Sequence, residues 1–269
     1  MEVLKHEIKH GEYSVPLRCY IPSGAPHSFF QKKRPAMIIF PGGGYGHLYE
    51  GEGEAIALKY IGADFCAFVL NYSVYPARFP QALCEALMAI GYVRENAAAF
   101  GIDPHRIYVC GFSAGGHLAA CTGTLWNHAC LDGHLEGARE LYRPDGMVLS
   151  YPVITPLHRG SYLNLFGKNE DELTEEVLDL LSLQKQVTKD TPPAFVWHNS
   201  DDEGVPVECS LLFGLALHRH KIPFEMRIWE NGGHGVCLGT YVTKDYHEIE
   251  KPLDCSVWVD ESVRFLLRH

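Results

Sequence analysis

The sequence from Arg106 to Cys121 reads RIYVCGFSAGGHLAAC, and its central pentapeptide, GFSAG at 111–115, decides the fold. A strand-like run precedes the pentapeptide and a helix-like run follows it, which is the setting of a nucleophile elbow. The glycines beside Ser113 permit a very tight turn, because strand and helix backbones can approach each other where side chains are missing. We therefore predict that Ser113 is a catalytic nucleophile. The alternative is a structural turn that buries the hydroxyl.

Short strand-like runs alternate with helical ones along the chain. This alternation predicts an α/β fold whose twisted, mostly parallel central sheet is flanked by helices on both faces. Strands are expected at 36–40, 65–70, 106–110, 147–151, 194–198 and 223–229, with edge strands near 5–9 and 15–21. Helices are expected at 54–61, from Pro80 to a C-terminal cap at Gly101, and at 256–268.

One long insertion, at about 153–190, separates two of the predicted strands. Within it, residues 170–183 form an acidic, amphipathic run that reads as a helix and not as a strand of the sheet. We expect a small helical cap over the mouth of the site. The alternative is a surface segment that does not cover the site. The rest of 1–269 is expected to form a single α/β domain around this insertion.

The composition restricts the class of protein. With 269 residues, 46% of them hydrophobic, the chain can bury one large core. The net charge of −10 repels phosphate backbones and anionic lipid, so we expect neither a nucleic-acid nor a membrane partner. The first six residues, MEVLKH, carry charges where a secretion signal needs an apolar core, and no stretch reads as a transmembrane segment.

The nine cysteines are scattered through the sequence, and several lie in apolar runs. They are typical of reduced, buried thiols, which predicts a cytoplasmic protein. His128, Cys130 and His134 lie close together in sequence, but their spacing matches no metal-binding template. We expect neither a metal nor an organic cofactor.

A serine hydroxyl becomes a good nucleophile only beside a base that is itself oriented by an acid. In a sheet of this type the three groups follow the order serine, acid, histidine. His234, in the glycine-rich loop NGGHG after the last strand, is the expected base. The acid is expected after the strand at 194–198, where Asp201, Asp202 and Glu203 are adjacent and composition does not separate them. Weaker candidates for the base are His47, His117, His218 and His220.

A third motif, FPGGGY at 40–45, lies at the carboxyl end of a predicted buried strand. Three glycines let main-chain N–H groups point at a developing oxyanion without interference from side chains, and the N–H of Ala114 is expected to be a second donor. A flexible turn is the alternative. A phosphate loop fits poorly, since neither a Walker A pattern nor a Rossmann fingerprint is present.

From about Pro35 onwards the chain resembles the α/β-hydrolase superfamily, and more narrowly the small bacterial acetyl esterases and acetylxylan-esterase-like proteins. Four blocks carry the resemblance: Pro41–Tyr45; Phe100–Pro104 leading into Gly111–Ala120; Thr191–His198 with Asp201, Asp202, Val205 and Pro206; and Gly233–Gly235. The family pattern places the acid three residues before the valine of Val-Pro and four after the histidine that ends the strand, which is Asp202. The resemblance further implies Ser113 as nucleophile, His234 as general base and acid, and Gly43, Gly44 and Ala114 as oxyanion donors.

The sequence departs from the family pattern at three places. Phe40 and Pro41 stand where many relatives have a histidine before the glycines, which predicts a different anchoring of that loop. Gly204 replaces a more usual apolar residue, so we expect a looser acid loop. The segment 241–253 is poorly matched and is expected to differ on the substrate side.

The resemblance implies a serine carboxylesterase that acts on short acyl esters and deacetylates sugars or xylo-oligosaccharides through an acyl-enzyme. Its expected partner is a small-molecule ester, and either a monomer or a homodimer is compatible with the sequence. One rival is a serine peptidase of the prolyl-oligopeptidase type, although 269 residues leave no room for the additional domain of that group. The other rival is a non-catalytic binding protein with the same fold, although such proteins commonly lose the nucleophile or the base.

Overall fold

The structure is a computed structural model that describes residues 1–24, 33–240 and 251–269. In these ranges eight strands form one sheet. They are β1 (Glu2–His10), β2 (Tyr13–Ile21), β3 (Arg34–Phe40), β4 (Cys66–Leu70), β5 (Ile102–Phe112), β6 (Gly146–Ser150), β7 (Ala194–Asn199) and β8 (Phe224–Trp229). Most of the poorly matched segment 241–253 lies outside the described residues.

The strand order is β1-β2-β4-β3-β5-β6-β7-β8, and the six strands from β4 to β8 are parallel. Both β1 and β2 run antiparallel to their neighbours, so the predicted mostly parallel sheet is confirmed. The expectation that residues 15–21 form an edge strand was wrong. A hairpin with Gly11 at φ +58° folds β1 outside β2, and β2 therefore lies between β1 and β4.

Helices cover both faces of the sheet. They are α1 (Glu54–Gly62), α2 (Gln81–Glu95), α3 (Ala97–Phe100), α4 (Ala114–Thr124), α5 (Arg159–Leu165), α6 (Glu175–Leu180), α7 (Glu208–Arg219) and α8 (Trp258–Leu266). Alternate residues of β3 enter different cores: Ile38 packs in the core with α2, α4 and α7, whereas Ile39 packs in the core with α1 and α8. The continuous apolar runs of the sequence arise because both faces of these strands are buried.

The insertion contains α5 and α6. The run at 170–183, predicted as one helix, consists of short 3₁₀ turns at 170–172 and 183–185 with α6 between them. The break precedes α6 because Thr174 takes an extended conformation and its hydroxyl accepts a hydrogen bond from the N–H of Val177. This is an N-cap, which begins a new helix and does not continue the preceding turn.

The turn between β5 and α4 places Ser113 between the last residue of the strand and the first residue of the helix. Ser113 has φ +53° and ψ −117°, a strained conformation for a residue with a side chain. A Cβ atom on Gly111 would collide with the carbonyl of Gly115, and one on Gly115 would collide with the carbonyls of Phe40 and Pro41. The two glycines are therefore required by backbone contacts on both sides of the turn.

We expect the substitution Gly115→Ala to lower the free energy of unfolding by about 3 kcal/mol or more, because backbone atoms of β3 would have to move. The measurement is urea unfolding followed by circular dichroism. The matched control is Gly62→Ala at the exposed end of α1, where a Cβ meets nothing within 4 Å and the change should raise stability by up to about 1 kcal/mol. Equal stability of the Gly115→Ala variant and the unmodified protein would contradict the packing described here.

Candidate active site

Three loops at the carboxyl edge of the sheet bring Ser113, Asp202 and His234 together. Ser113 follows β5, Asp202 follows β7 and His234 follows β8. The carboxyl ends of parallel strands meet at one edge of the sheet, and loops from different strands can therefore converge there although 121 residues separate Ser113 from His234.

His234 bridges the other two side chains. Its Nε2 lies 2.9 Å from Oγ of Ser113, and its Nδ1 lies 2.7 Å from Oδ2 of Asp202. A carboxylate oxygen only accepts, so Nδ1 carries the hydrogen and Nε2 is left with a lone pair that faces the serine. The geometry thus allows His234 to take the proton of the Ser113 hydroxyl.

Asp202 is surrounded by hydrogen-bond donors. Its Oδ1 accepts from the main-chain N–H groups of Gly204 and Val205 at 2.8 Å, and Nε2 of His198 lies 3.1 Å from Oδ2. Burial opposes ionisation of this carboxyl, but the hydrogen bonds from His198 and His234 outweigh burial and hold the pKa of Asp202 well below its usual value. Asp202 is therefore an anion that orients the imidazole.

The two other acids of the same turn point elsewhere. Asp201 accepts from the N–H groups of Gly232 and Gly233, at 3.1 and 2.8 Å, and so holds the loop that carries His234. Glu203 is exposed. The side chains of these three adjacent acids point in different directions. Their positions in the sequence therefore do not show which of them contacts His234.

Gly204 lies against the ring of His234. A Cβ at this position would be 2.9 Å from Cγ of His234, so an apolar side chain would displace the imidazole. The loop that was expected to be loose is fixed by the two hydrogen bonds to Oδ1 of Asp202. The departure from the family pattern makes room for the ring.

The glycine loop after β3 lies beside Ser113. Gly43 and Gly44 have φ +121° and +64°, and both line the same cavity as the serine. The carbonyl of Gly44 accepts from Nδ2 of Asn164 in α5, and the hydroxyl of Tyr45 lies 3.0 Å from Nδ1 of His117. Ala114 is the first residue of α4, so its N–H has no acceptor within the helix.

Sequence reasoning missed Glu52, which reaches the bottom of the site and is only 2% exposed. Its Oε2 accepts from the N–H of Gly42, and its Oε1 accepts from the hydroxyl of Tyr151, both at 2.7 Å. Tyr151 in turn accepts from the N–H of Cys237 at 3.0 Å, and its ring packs against His234. Burial raises the pKa of Glu52 to about 7. In the sequence Glu52 is one of three glutamates in EGEGE, and nothing sets it apart.

A cavity of about 480 Å³ opens over Ser113. Its lining residues in the described ranges are polar or lack a side chain: Gly43, Gly44, His47, Tyr49, Glu52, Ser113, His158, His234 and Gly235. No aliphatic side chain of the described residues is among them.

The remaining histidine candidates have other contacts. His47 lines the cavity, whereas His218 and His220 are exposed at the end of α7. His117 is buried, with its Nδ1 beside the hydroxyl of Tyr45 and its Nε2 beside the carbonyl of Leu181. Burial lowers the pKa of His117 to about 4. Its ring joins α4 to the glycine loop and the insertion, and the hydrogen bonds of that ring go to Tyr45 and Leu181 and not to the Ser113 hydroxyl.

Comparison with known proteins gives the family of the chain. The BD-FAE family model matches residues 25–217. Endo-1,4-beta-xylanase B of Butyrivibrio fibrisolvens is 38% identical over 213 residues, which are 77% of this chain and 33% of that protein. The chain spans between 33% and 51% of the length of the first curated relatives that it matches.

Solved structures match over nearly the whole chain. An acetyl ester-xyloside bifunctional hydrolase from Caldicellulosiruptor lactoaceticus is 38% identical, with 95% of this chain and 90% of that chain covered at a TM-score of 0.76. The carboxylesterase Cest-2923 from Lactobacillus plantarum WCFS1 is 26% identical, with 100% and 98% covered at a TM-score of 0.83. The predicted α/β-hydrolase fold is therefore confirmed. Within the described ranges, no helix combines the length and the apolar character needed to cross a bilayer.

We expect Glu52→Gln to keep the fold and to lower kcat/KM for an ester substrate about tenfold at pH 8. The amide can accept from Gly42 and donate to Tyr151, but it removes the buried negative charge near His234. Glu52→Ala leaves two buried donors without an acceptor and should also lower the free energy of unfolding by about 3 kcal/mol.

The pH dependence gives a second measurement of the Glu52 effect. The pKa of Glu52 is raised in the folded protein from 4.5 to about 7, so the native carboxyl holds a proton that the unfolded chain releases between these values. Its contribution to stability is therefore present below pH 4.5, falls as the pH rises towards 7 and is constant above that. Unfolding curves should show this slope in the unmodified protein relative to Glu52→Gln. An identical pH dependence of the two proteins would contradict the assignment.

Proposed function

The chain belongs to the BD-FAE family, and from that premise we propose that it is a serine carboxylesterase that hydrolyses short-chain acyl esters. The proposal includes acetyl esters of sugars or xylo-oligosaccharides as substrates. The observation that carries it is the continuous hydrogen-bond chain from Ser113 through His234 to Asp202 beside a glycine loop. This arrangement has the parts that acyl transfer to a serine requires.

In the proposed mechanism Oγ of Ser113 attacks the ester carbonyl carbon while Nε2 of His234 takes the hydroxyl proton. Asp202 stabilises the imidazolium that forms. The N–H groups of Gly43, Gly44 and Ala114 receive the oxyanion of the tetrahedral intermediate. His234 then gives its proton to the leaving alcohol, and an acyl-enzyme remains. A water molecule, deprotonated by His234, releases the acid and restores the serine. No step in this mechanism uses a metal or an organic cofactor.

The size of the cavity favours a small substrate. Its volume of about 480 Å³ is in the lower part of the range for small-molecule sites. The rings of His47 and His158 offer hydrogen-bonding groups to the hydroxyls of a sugar, whereas a long acyl chain would meet no aliphatic wall in the described lining. The 38% identical structure is described as an acetyl ester-xyloside hydrolase, which favours the same substrate class.

We further propose that residues 153–190 act as a cap on a single domain spanning 1–269. His158, just before α5, lines the cavity, and Asn164 in α5 binds the carbonyl of Gly44. A change in this insertion would therefore reach both the cavity wall and the glycine loop.

We also propose a cytoplasmic setting, with no nucleic-acid or membrane partner. All nine cysteines are free, and eight are buried, which suits a reducing compartment. The net charge of −10 disfavours polyanionic partners.

We expect Ser113→Ala to lower kcat for p-nitrophenyl acetate at least about 10⁴-fold, because the attacking oxygen is removed. A fluorophosphonate probe should label the unmodified protein and leave the variant unlabelled. The matched control is Ser14→Ala at an exposed position of β2, which should keep full activity and labelling. Retained turnover in Ser113→Ala would rule out the serine mechanism. Failure of the unmodified protein to label would favour the non-catalytic rival.

Acyl length tests the substrate proposal separately. We expect kcat/KM to fall at least about tenfold from acetyl to octanoyl p-nitrophenyl esters, since the described lining offers no aliphatic side chain against which a long acyl chain could pack. Acetylated xylo-oligosaccharides should be deacetylated, as measured by released acetate. A preference for octanoyl esters, or no release from any sugar acetate, would contradict the proposal. Turnover of X-Pro peptide amides in place of esters would favour the peptidase rival.

A further inference from the structure

Three side chains that could bind a metal ion form a cluster away from the active-site cavity. His10 ends β1, Cys84 lies in the first turns of α2, and His134 lies in the connection between α4 and β6. One donor atom from each of the three side chains lies within 4.8 Å of the other two. None of the three residues lines the cavity over Ser113.

A neighbouring amide fixes the orientation of the His10 ring. Nε2 of Gln81 donates to the carbonyl of His10 at 3.1 Å and to Oε1 of Glu85 at 2.7 Å, so the amide nitrogen faces two acceptors. Oε1 of Gln81 therefore faces Nδ1 of His10, at 2.9 Å, and this nitrogen must carry the hydrogen. In the neutral ring, Nε2 of His10 then carries a lone pair and no hydrogen.

That lone pair points towards His134. Nε2 of His10 lies 3.4 Å from Nδ1 of His134. Two nitrogens bound tetrahedrally to one zinc ion at about 2.0–2.1 Å are separated by about 3.3 Å, which is close to the distance here. A histidine ligand whose other ring nitrogen donates to an oxygen acceptor is the usual arrangement at zinc sites, and Gln81 provides that acceptor for His10.

We propose that His10, Cys84 and His134 form a binding site for a divalent cation of borderline softness, with Zn²⁺ as the best match. Two imidazoles and a thiolate are ligands that this class of ion prefers, and three protein ligands leave a fourth position for water. His134 is exposed and His10 is half-buried, so the ion has a path from solvent.

The environment of Cys84 sets the cost of forming the thiolate. Burial, together with the neighbouring Cys130 and Glu85, raises the pKa of the Cys84 thiol to about 12, and Arg139 acts in the opposite direction. A bound cation displaces the thiol proton to solvent and takes the sulfur as a ligand, as in other zinc–thiolate sites. One proton is released for each ion bound through Cys84.

The site would join three segments that are distant in sequence. It links the edge strand β1 to α2 and to the connection after α4. A bound ion therefore stabilises the folded chain, since the unfolded chain does not hold the three ligands together.

This site could not be predicted from the sequence, because its members are separated by 74 and 50 residues and fit no short template. Of the three residues considered as ligands from sequence, only His134 takes part. Nδ1 of His128 instead accepts from the main-chain N–H of Cys130.

The test is metal binding by the full chain after treatment with a chelator. Zn²⁺ is titrated in competition with a chromophoric chelator, and Co²⁺ is added separately as a spectroscopic probe. We expect one Zn²⁺ per chain, a rise in Tm of roughly 5 °C with excess Zn²⁺, and a thiolate-to-Co²⁺ charge-transfer band. The variant His134→Ala should bind Zn²⁺ at least about 100-fold more weakly, and Cys84→Ser should lack the charge-transfer band.

The matched control is His105→Ala, an exposed histidine outside the cluster, which should bind like the unmodified protein. His134 is exposed, so its replacement leaves the fold intact even if Cys84→Ser does not fold. Equal Zn²⁺ affinity of His134→Ala and the unmodified protein would overturn the proposal. Absence of a charge-transfer band from the Co²⁺-treated unmodified protein would also overturn it.

Discussion

The close backbone contact between Gly115 and the end of β3 is the constraint on which the site depends. Because Gly115 has no side chain, α4 can lie against the carbonyls of Phe40 and Pro41. The same contact sets the glycine loop, which continues from Pro41, beside Ser113 at the start of α4. A single absent methyl group therefore brings the proposed nucleophile and the loop of its proposed oxyanion donors into one place.

Two buried carboxylates at this edge of the sheet have opposite pKa shifts, and their hydrogen-bond partners explain the difference. Asp202 is contacted by four donors, two main-chain N–H groups and two histidine rings, which hold its pKa low in spite of burial. Glu52 has two donors, and there burial prevails. The first carboxylate keeps its charge and orients the ring of His234. The second can change charge near neutral pH, at the point where the glycine loop is anchored.

Much of the fold could be predicted from sequence, because continuous apolar runs and punctuating glycines and prolines determine elements locally. Members of the proposed site stand out in the sequence only where they have a local signature: Ser113 lies in a glycine-flanked turn, and His234 lies in a glycine-rich loop. Glu52 has no such signature, because its role comes from contacts with Gly42 and Tyr151 that form only in the folded chain. The edge position of β1 likewise follows from hairpin geometry and not from composition.

The network around Tyr151 ties the two sides of the site together, and its direction follows from hydrogen-bond chemistry. The Tyr151 oxygen accepts from the N–H of Cys237, and its own hydrogen points to Glu52. Glu52 is then an acceptor at both oxygens, since Gly42 donates to the other one. The network is complete only with an ionised carboxylate. A proton on Glu52 adds one hydrogen that must either displace a donor or turn the tyrosine hydroxyl away. Because Cys237 belongs to the loop of His234, the Tyr151 hydroxyl connects Glu52 to that loop through two hydrogen bonds.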